Sequence, residues 1–190
     1  MTKGLRWRII TLQAVLVLVL GFCAGFAFWG SGFVNGMVHD QLTAQKIYFP
    51  EKGSAALDPA KFPDLQQYAG QQVDNGDKAK AYADGFIGRH LKTVANGMTY
   101  SQASAAAQAN PTDTKLAAQV QTLFRGETLR GLLLYAWGWS QVGLYAFYAG
   151  IVLAIGTLVV LAALALEIVV AVRAPATVKV ATTRTATASP

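Results

Sequence analysis

The sequence predicts an all-α protein in which two transmembrane helices bracket a small helical extracytoplasmic domain. Three observations carry that expectation. Two apolar runs, residues 9–38 and 131–172, each exceed the roughly 20 residues a helix needs to cross ~30 Å of hydrocarbon. The segment between them is polar and nearly neutral. Basic residues gather on the far side of each run: Lys3, Arg6 and Arg8 before the first, and Arg173, Lys179 and Arg184 after the second. With 53% hydrophobic and 14% charged residues, the chain is too apolar for an ordinary soluble domain.

Charge sets the expected orientation. Of 16 Lys and Arg residues, three precede the first run and three follow the second, leaving ten in 39–130; of 10 acids only Glu167 lies in a run, leaving nine. An excess of Lys and Arg on short membrane-flanking tails is the positive-inside pattern. Both termini are therefore expected in the cytoplasm, residues 39–130 outside, and the protein in the plasma membrane. The same distribution speaks against nucleic acid as a partner despite the net charge of +6, because the outer bases are dispersed among acids.

Residues 1–8 form the cytoplasmic N-terminus and 9–38 the first span. A cleaved signal peptide is the rival reading, with Gly25-Phe26-Ala27 as a weak cleavage site. The apolar stretch continues through Phe28, Trp29, Phe33, Val34 and Met37, which an anchor needs and a signal peptide does not. The lone Cys23 has no cysteine to pair with and reads as a small apolar side chain. Gly21, Gly25, Gly32 and Gly36 fall at offsets that, at ~100° per residue, share an arc of about 60°. Such a face admits a second helix at close range. Gly143, Ala146, Gly150 and Ala154 supply a matching face on the second span.

The outer segment, 39–130, reads as short helices divided by turns. Pro50, Gly53, Pro59 and Pro63 keep Lys46–Pro63 extended. A short helix is expected over Asp64–Val73, ending at Asp74-Asn75-Gly76. The clearest helix is Asp77–Ala95, with Tyr82, Phe86, Ile87, Leu91 and Val94 at helical spacing and Asn96-Gly97 as its stop. Thr99 with Gln102 resembles a capping box opening an alanine-rich helix to Ala109. Thr112 is the expected cap of the next helix, whose stripe is Leu116, Val120, Leu123 and Phe124.

Residues 131–143 are assigned to an interfacial or membrane-proximal helix and 144–172 to the second span. The run 131–172 would be about 63 Å long as one helix at ~1.5 Å per residue. A hairpin of two spans is the alternative, disfavoured by the basic tail and by the absence of a polar turn between Gly138 and Gly143. Trp137, Trp139, Tyr135 and Tyr145 suit the headgroup level. Glu167, the one acid inside a run, lies six residues from Arg173; it reads as an interfacial side chain or a helix–helix contact. Residues 173–190 are expected to be a disordered cytoplasmic tail.

Chemistry is sparse. His39 and His90 have no second ligand at metal spacing. No serine stands in a nucleophile elbow, and the glycines of 126–143 lack the Lys and Ser/Thr of a phosphate loop. No cofactor, metal site or catalytic residue is expected. Tyr68, Tyr82, Phe86 and Tyr100 are the candidate lining of an outer pocket.

The stretches DQLTAQKIYFP (Asp40–Pro50), YAGQQV (Tyr68–Val73), YADGFIGRHL (Tyr82–Leu91) and LFRGETLR (Leu123–Arg130) together resemble an uncharacterised family of actinobacterial two-span membrane proteins. The resemblance covers most of the chain and implies the topology already drawn. Relatives often carry the label of an aromatic ring-opening dioxygenase. That chemistry needs two histidines and a carboxylate on iron, which two isolated histidines do not supply. The expected function is non-enzymatic: a membrane-anchored interaction protein, such as an accessory subunit of a larger complex, whose partners are the bilayer and another membrane protein or a second copy. The alternative is an extracytoplasmic ligand-binding or sensing module that signals through a partner.

Overall fold

The computed structural model describes residues 3–173; the tail from Ala174 onward lies outside them. The described residues are helical, without strands, and two long apolar helices flank a smaller helical region. They form two compact units. One comprises Ala24–Val152; the other joins the N-terminal part of α1, through Cys23, to α5 from Leu153 onward.

Helix α1, Lys3–Ala44, runs six residues past the expected end of the first span. It stops where Lys46 takes a left-handed φ of 53° and its N–H turns back to the Thr43 carbonyl, 3.1 Å away. The chain then extends and pairs antiparallel with a later segment: Phe49 N–H donates to Gln71 O and Val73 N–H to Ile47 O, both at 2.9 Å. This pairing corrects the expected helix over Asp64–Val73. Only a 3-10 stretch, Pro63–Tyr68, forms there, because Gln71–Val73 is drawn into hydrogen bonds with Ile47–Phe49. A second 3-10 turn, Ala55–Leu57, interrupts the segment expected to be extended.

The helix expected over Asp77–Ala95 is present, but its middle is unwound. It comprises α2 (Gly76–Lys80), a π-helical turn (Ala81–Ile87) and α3 (Gly88–Val94). Past Gly76, which is buried at its start, the buried residues are Ala79, Ala83, Ile87, Leu91 and Ala95, spaced by four. On a regular helix a four-residue step drifts about 40° at ~100° per residue. The wider i→i+5 turn absorbs that drift and keeps all five on one side. Asn75 caps the start, its Oδ1 accepting from Lys78 N–H at 3.0 Å. The stop is as expected: Asn96 and Gly97 have φ of 51° and 84°, and Gly97 N–H donates to Lys92 O at 2.8 Å.

Helix α4, Tyr100–Ala109, opens on the expected capping box of Thr99 and Gln102. Helix α5 runs unbroken over Thr114–Arg173, 60 residues, about 90 Å at ~1.5 Å per residue. No hairpin divides it, and residues 131–143 are part of the same helix. Its cap is Asp113, not Thr112: the Asp113 carboxylate accepts from Leu116 N–H at 2.9 Å. The Asp113 carbonyl also accepts the first bond of the helix, from Ala117 N–H at 3.1 Å, so Asp113 and not Thr112 holds the flanking cap position.

Within Ala24–Val152, one core holds Phe49, Leu57, Val73, Leu91 and Leu123 with Leu42 of α1 and Leu133 of α5. There the α1 residues Ala24, Ser31 and Val38, seven apart, are buried, as are Gly143 and Gly150 of α5. That repeat is a coiled-coil seam made mostly of small residues. In the other unit the helices are also antiparallel. Arg6 donates to Val170 O at 3.3 Å, and Gly21 faces Thr157.

Candidate functional site

The two glycine faces meet different surroundings. On α5, Gly143 is covered by Asn35 and Gly150 by the Phe28 ring; a Cβ at either position would lie 2.9 Å from them. Ala146 is half-buried beside these glycines. On α1, a Cβ at Gly21 would meet Thr157 at an ordinary 3.8 Å, and at Gly25, Gly32 or Gly36 it would meet nothing within 4 Å. The sequence placed all four α1 glycines on one packing face, yet Gly25, Gly32 and Gly36 are exposed. Beside them the exposed rings of Phe26, Trp29 and Phe33 form a ladder with centroid spacings of 5.5 and 5.6 Å. Ala154 and Glu167, in the unit from Leu153 onward, are half-buried.

The four residues expected to line an outer pocket do not converge. Tyr68 and Tyr82 pack on Phe49, with centroids 5.2 and 5.0 Å away, and Tyr82 packs on Phe86 at 4.9 Å. Tyr100 stands apart against Phe124, at 5.8 Å. Phe49 is 2% exposed, so its ring fills the space between the two tyrosines. Sequence reasoning missed it because it sits in a proline-bounded segment with no helical period. Burial pushes the Tyr82 phenol above its ordinary range. His90 stacks on Phe62 with centroids 5.3 Å apart, and its Nδ1 lies 3.0 Å from Phe86 O. His39 Nδ1 lies 3.0 Å from Asp74 O.

What the sequence did not reveal is a charge network fastening the π-turn. Asp84, within the turn, accepts on Oδ1 from Arg130 Nε and Nη2 at 3.2 and 3.0 Å, and on Oδ2 from Lys80 at 3.4 Å. Arg130 also reaches Glu127 at 3.3 Å. Arg89 grips Asp64 with both terminal nitrogens, at 2.7 and 2.8 Å. Lys80 additionally lies 4.1 Å over the Trp137 ring. Partial burial opposes ionisation of Asp84, but hydrogen bonds from Arg130 and Lys80 outweigh it and hold its carboxyl below the usual range. The Arg89 hydrogen bonds do the same for Asp64. A cleft of about 340 Å³ lies beside the network, floored by Leu91, Met98 and Leu123 and rimmed by Arg89, Lys92 and Arg130. Each of these carboxylates already has a cationic partner, which makes the network a clamp between the π-turn and its neighbours.

These features define a class: an all-α protein with two helices long and apolar enough to cross a membrane. In their most apolar stretches only 11% and 6% of residues are buried, unlike the core helix of a soluble domain. No family model, curated protein or solved structure matches the chain.

Proposed function

We propose that this chain is a non-enzymatic, membrane-anchored interaction protein of the plasma membrane. In this reading α1 and α5 cross the bilayer, both termini are cytoplasmic and residues 39–130 lie outside. The observation that carries it is the open face of α1, where Gly25, Gly32 and Gly36 stand beside the Phe26–Trp29–Phe33 ladder. In lipid, helices associate by close packing and not by hydrophobic burial. A groove lined by glycine, edged by rings, offers that packing to a helix of another membrane protein. The test is Gly25→Leu with Gly32→Leu in the full chain, purified in mild detergent. Insertion survives, because leucine is at least as favourable as glycine in lipid, and the stoichiometric partner is lost. An unchanged partner yield sinks the proposal. Ser104→Cys and Ser189→Cys, each in a Cys23→Ala background, test orientation: an impermeant thiol reagent on intact cells labels the first and not the second.

The cleft beside the π-turn favours a second reading, an outer ligand-binding module, since π-turns recur at functional sites. A small molecule retained through purification and expelled by Met98→Trp, which fills the cleft, would favour it over the first.

A further inference from the structure

Polar side chains are costly within apolar helices and persist there when paired or functional. Ser31 and Asn35 lie in the first apolar run, and Ser140 and Gln141 in the second. All four meet at one cleft of about 360 Å³, where Asn75 and Asp77 join them from the start of α2. Leu144 and Phe147 form its apolar side. The size falls within the ~300–1,000 Å³ of small-molecule sites.

Internal pairing accounts for little of this polarity. Asn35 Nδ2 donates to Ser31 Oγ at a long 3.5 Å, and Ser140 Oγ donates to Trp137 O at 2.7 Å. Asn75 is occupied by Lys78 N–H and by the Asp74 carboxylate. The Asn35 carbonyl, the Gln141 amide and the Asp77 carboxylate have no hydrogen bond among the described residues. The cleft is nevertheless firmly built. Ser31 is 5% exposed, and α2 sits so close to α5 that a Cβ on Gly76 would collide with Ser140.

We propose that this cleft binds a neutral polyhydroxylated group, a sugar or polyol, either as a lipid headgroup or free. Amides and a carboxylate offer adjacent donors and acceptors that match vicinal hydroxyls, and Leu144 and Phe147 offer apolar surface to the C–H side of a ring. No Lys, Arg or His lines the cleft, so a phosphate would be buried without a counter-charge. An ammonium group would donate to Asp77 and to the Asn35 and Gln141 carbonyl oxygens but leave the Gln141 N–H donors unanswered. The reading of α1 and α5 as spans matters only to the source: if they cross the bilayer, the cleft opens at the headgroup level marked by Trp137 and Trp139.

The full chain in detergent is incubated with equal amounts of monoglucosyl diacylglycerol, diacylglycerol and phosphatidylcholine of matched acyl chains, and retained lipid is measured by native mass spectrometry. In parallel, glucose and myo-inositol are titrated while the melting temperature is followed. A preference of about tenfold or more for the glucosyl lipid, reduced towards parity by Gln141→Leu and by Asp77→Asn, supports a headgroup site. A rise in melting temperature with glucose or inositol, lost in the same variants, supports the free group. Equal retention of glucosyl lipid and diacylglycerol with no response to free polyol overturns the proposal. Preference for phosphatidylcholine also overturns it, as does a sugar preference indifferent to both substitutions. The wild-type comparison stands alone if either variant misfolds. Alkaline-carbonate extraction of cell membranes tests insertion separately, so failure of the spans and failure of the cleft are told apart.

Discussion

Gly143 and Gly150 of α5 and Gly25 and Gly32 of α1 are both pairs seven residues apart in apolar helices, yet they face opposite fates. The α5 pair is buried under Asn35 and Phe28, while the α1 pair opens on empty space. Spacing marks a face on which a neighbour could approach closely. Which face is used depends on what stands opposite. The buried α1 seam is Ala24, Ser31 and Val38, displaced from the glycines and free of the bulky Phe26, Trp29 and Phe33. Gly143 and Gly150 thus serve the fold, while Gly25 and Gly32 stay open.

The sharpest way to break this comparison is to put bulk into both pairs. Gly143→Leu with Gly150→Leu must displace Asn35 and the Phe28 ring, and overpacking costs about 1–3 kcal/mol per site. The full chain in detergent should unfold at markedly lower denaturant. If it melts like wild type, the α1–α5 seam is not what those glycines serve.

A single contact tests the same idea on a smaller scale. Gly76→Ala places a methyl group against Ser140 and should destabilise by about 1–2 kcal/mol. Combined with Ser140→Gly the cost should be less than the sum of the two changes, because the residues share one contact. Additive costs would show that α2 does not dock there.

Gly25→Leu with Gly32→Leu is expected to leave the unfolding midpoint of the isolated chain unchanged, with Leu18→Ala as the control for altered side-chain volume. A drop comparable to that of the α5 pair would mean the α1 glycines also pack within the chain. The separation between the two faces would then be lost.

The smallest expected effect is on pH. Asp64 and Asp84 have carboxyls held below their ordinary range by arginine hydrogen bonds. A group with a depressed folded pKa contributes stability that is present above its unfolded value, about 3.9, and lost as pH falls through the folded value. The midpoint should therefore be flat between about pH 7 and pH 5 and fall below about pH 4. Asp64→Asn with Asp84→Asn should flatten that fall. The change should be modest, because the two carboxylates are 52% and 39% exposed and screened by solvent.

Much of the fold was legible because its signals are local. The capping box at Thr99 and Gln102 and the stop at Asn96-Gly97 are short-range geometries that act wherever the sequence occurs. The helix expected over Asp64–Val73 failed for the complementary reason: Gln71–Val73 satisfies its backbone against Ile47–Phe49, a pairing across more than twenty residues. The candidate site was legible only in part. Tyr82 and Phe86 were correctly placed on one helix, but Phe49, which fills the space between Tyr68 and Tyr82, carries no periodic signature.

By itself the sequence determined the class of fold, the two long apolar helices and the short capped helices between them, because hydrophobic run length, proline and glycine placement and caps act over a few residues. Only the tertiary structure decided that a π-turn sits at Ala81–Ile87, since it keeps Ala79, Ala83, Ile87, Leu91 and Ala95 on one buried side, and what buries them comes from elsewhere in the chain. It alone decided which glycines are covered, because Gly143 and Gly150 depend on Asn35 and Phe28, more than a hundred residues earlier. And it alone brought Ser31, Asn35, Ser140, Gln141 and Asp77 to one cleft: scattered along the chain these are ordinary polar residues, and only antiparallel packing of α1 on α5 makes them neighbours.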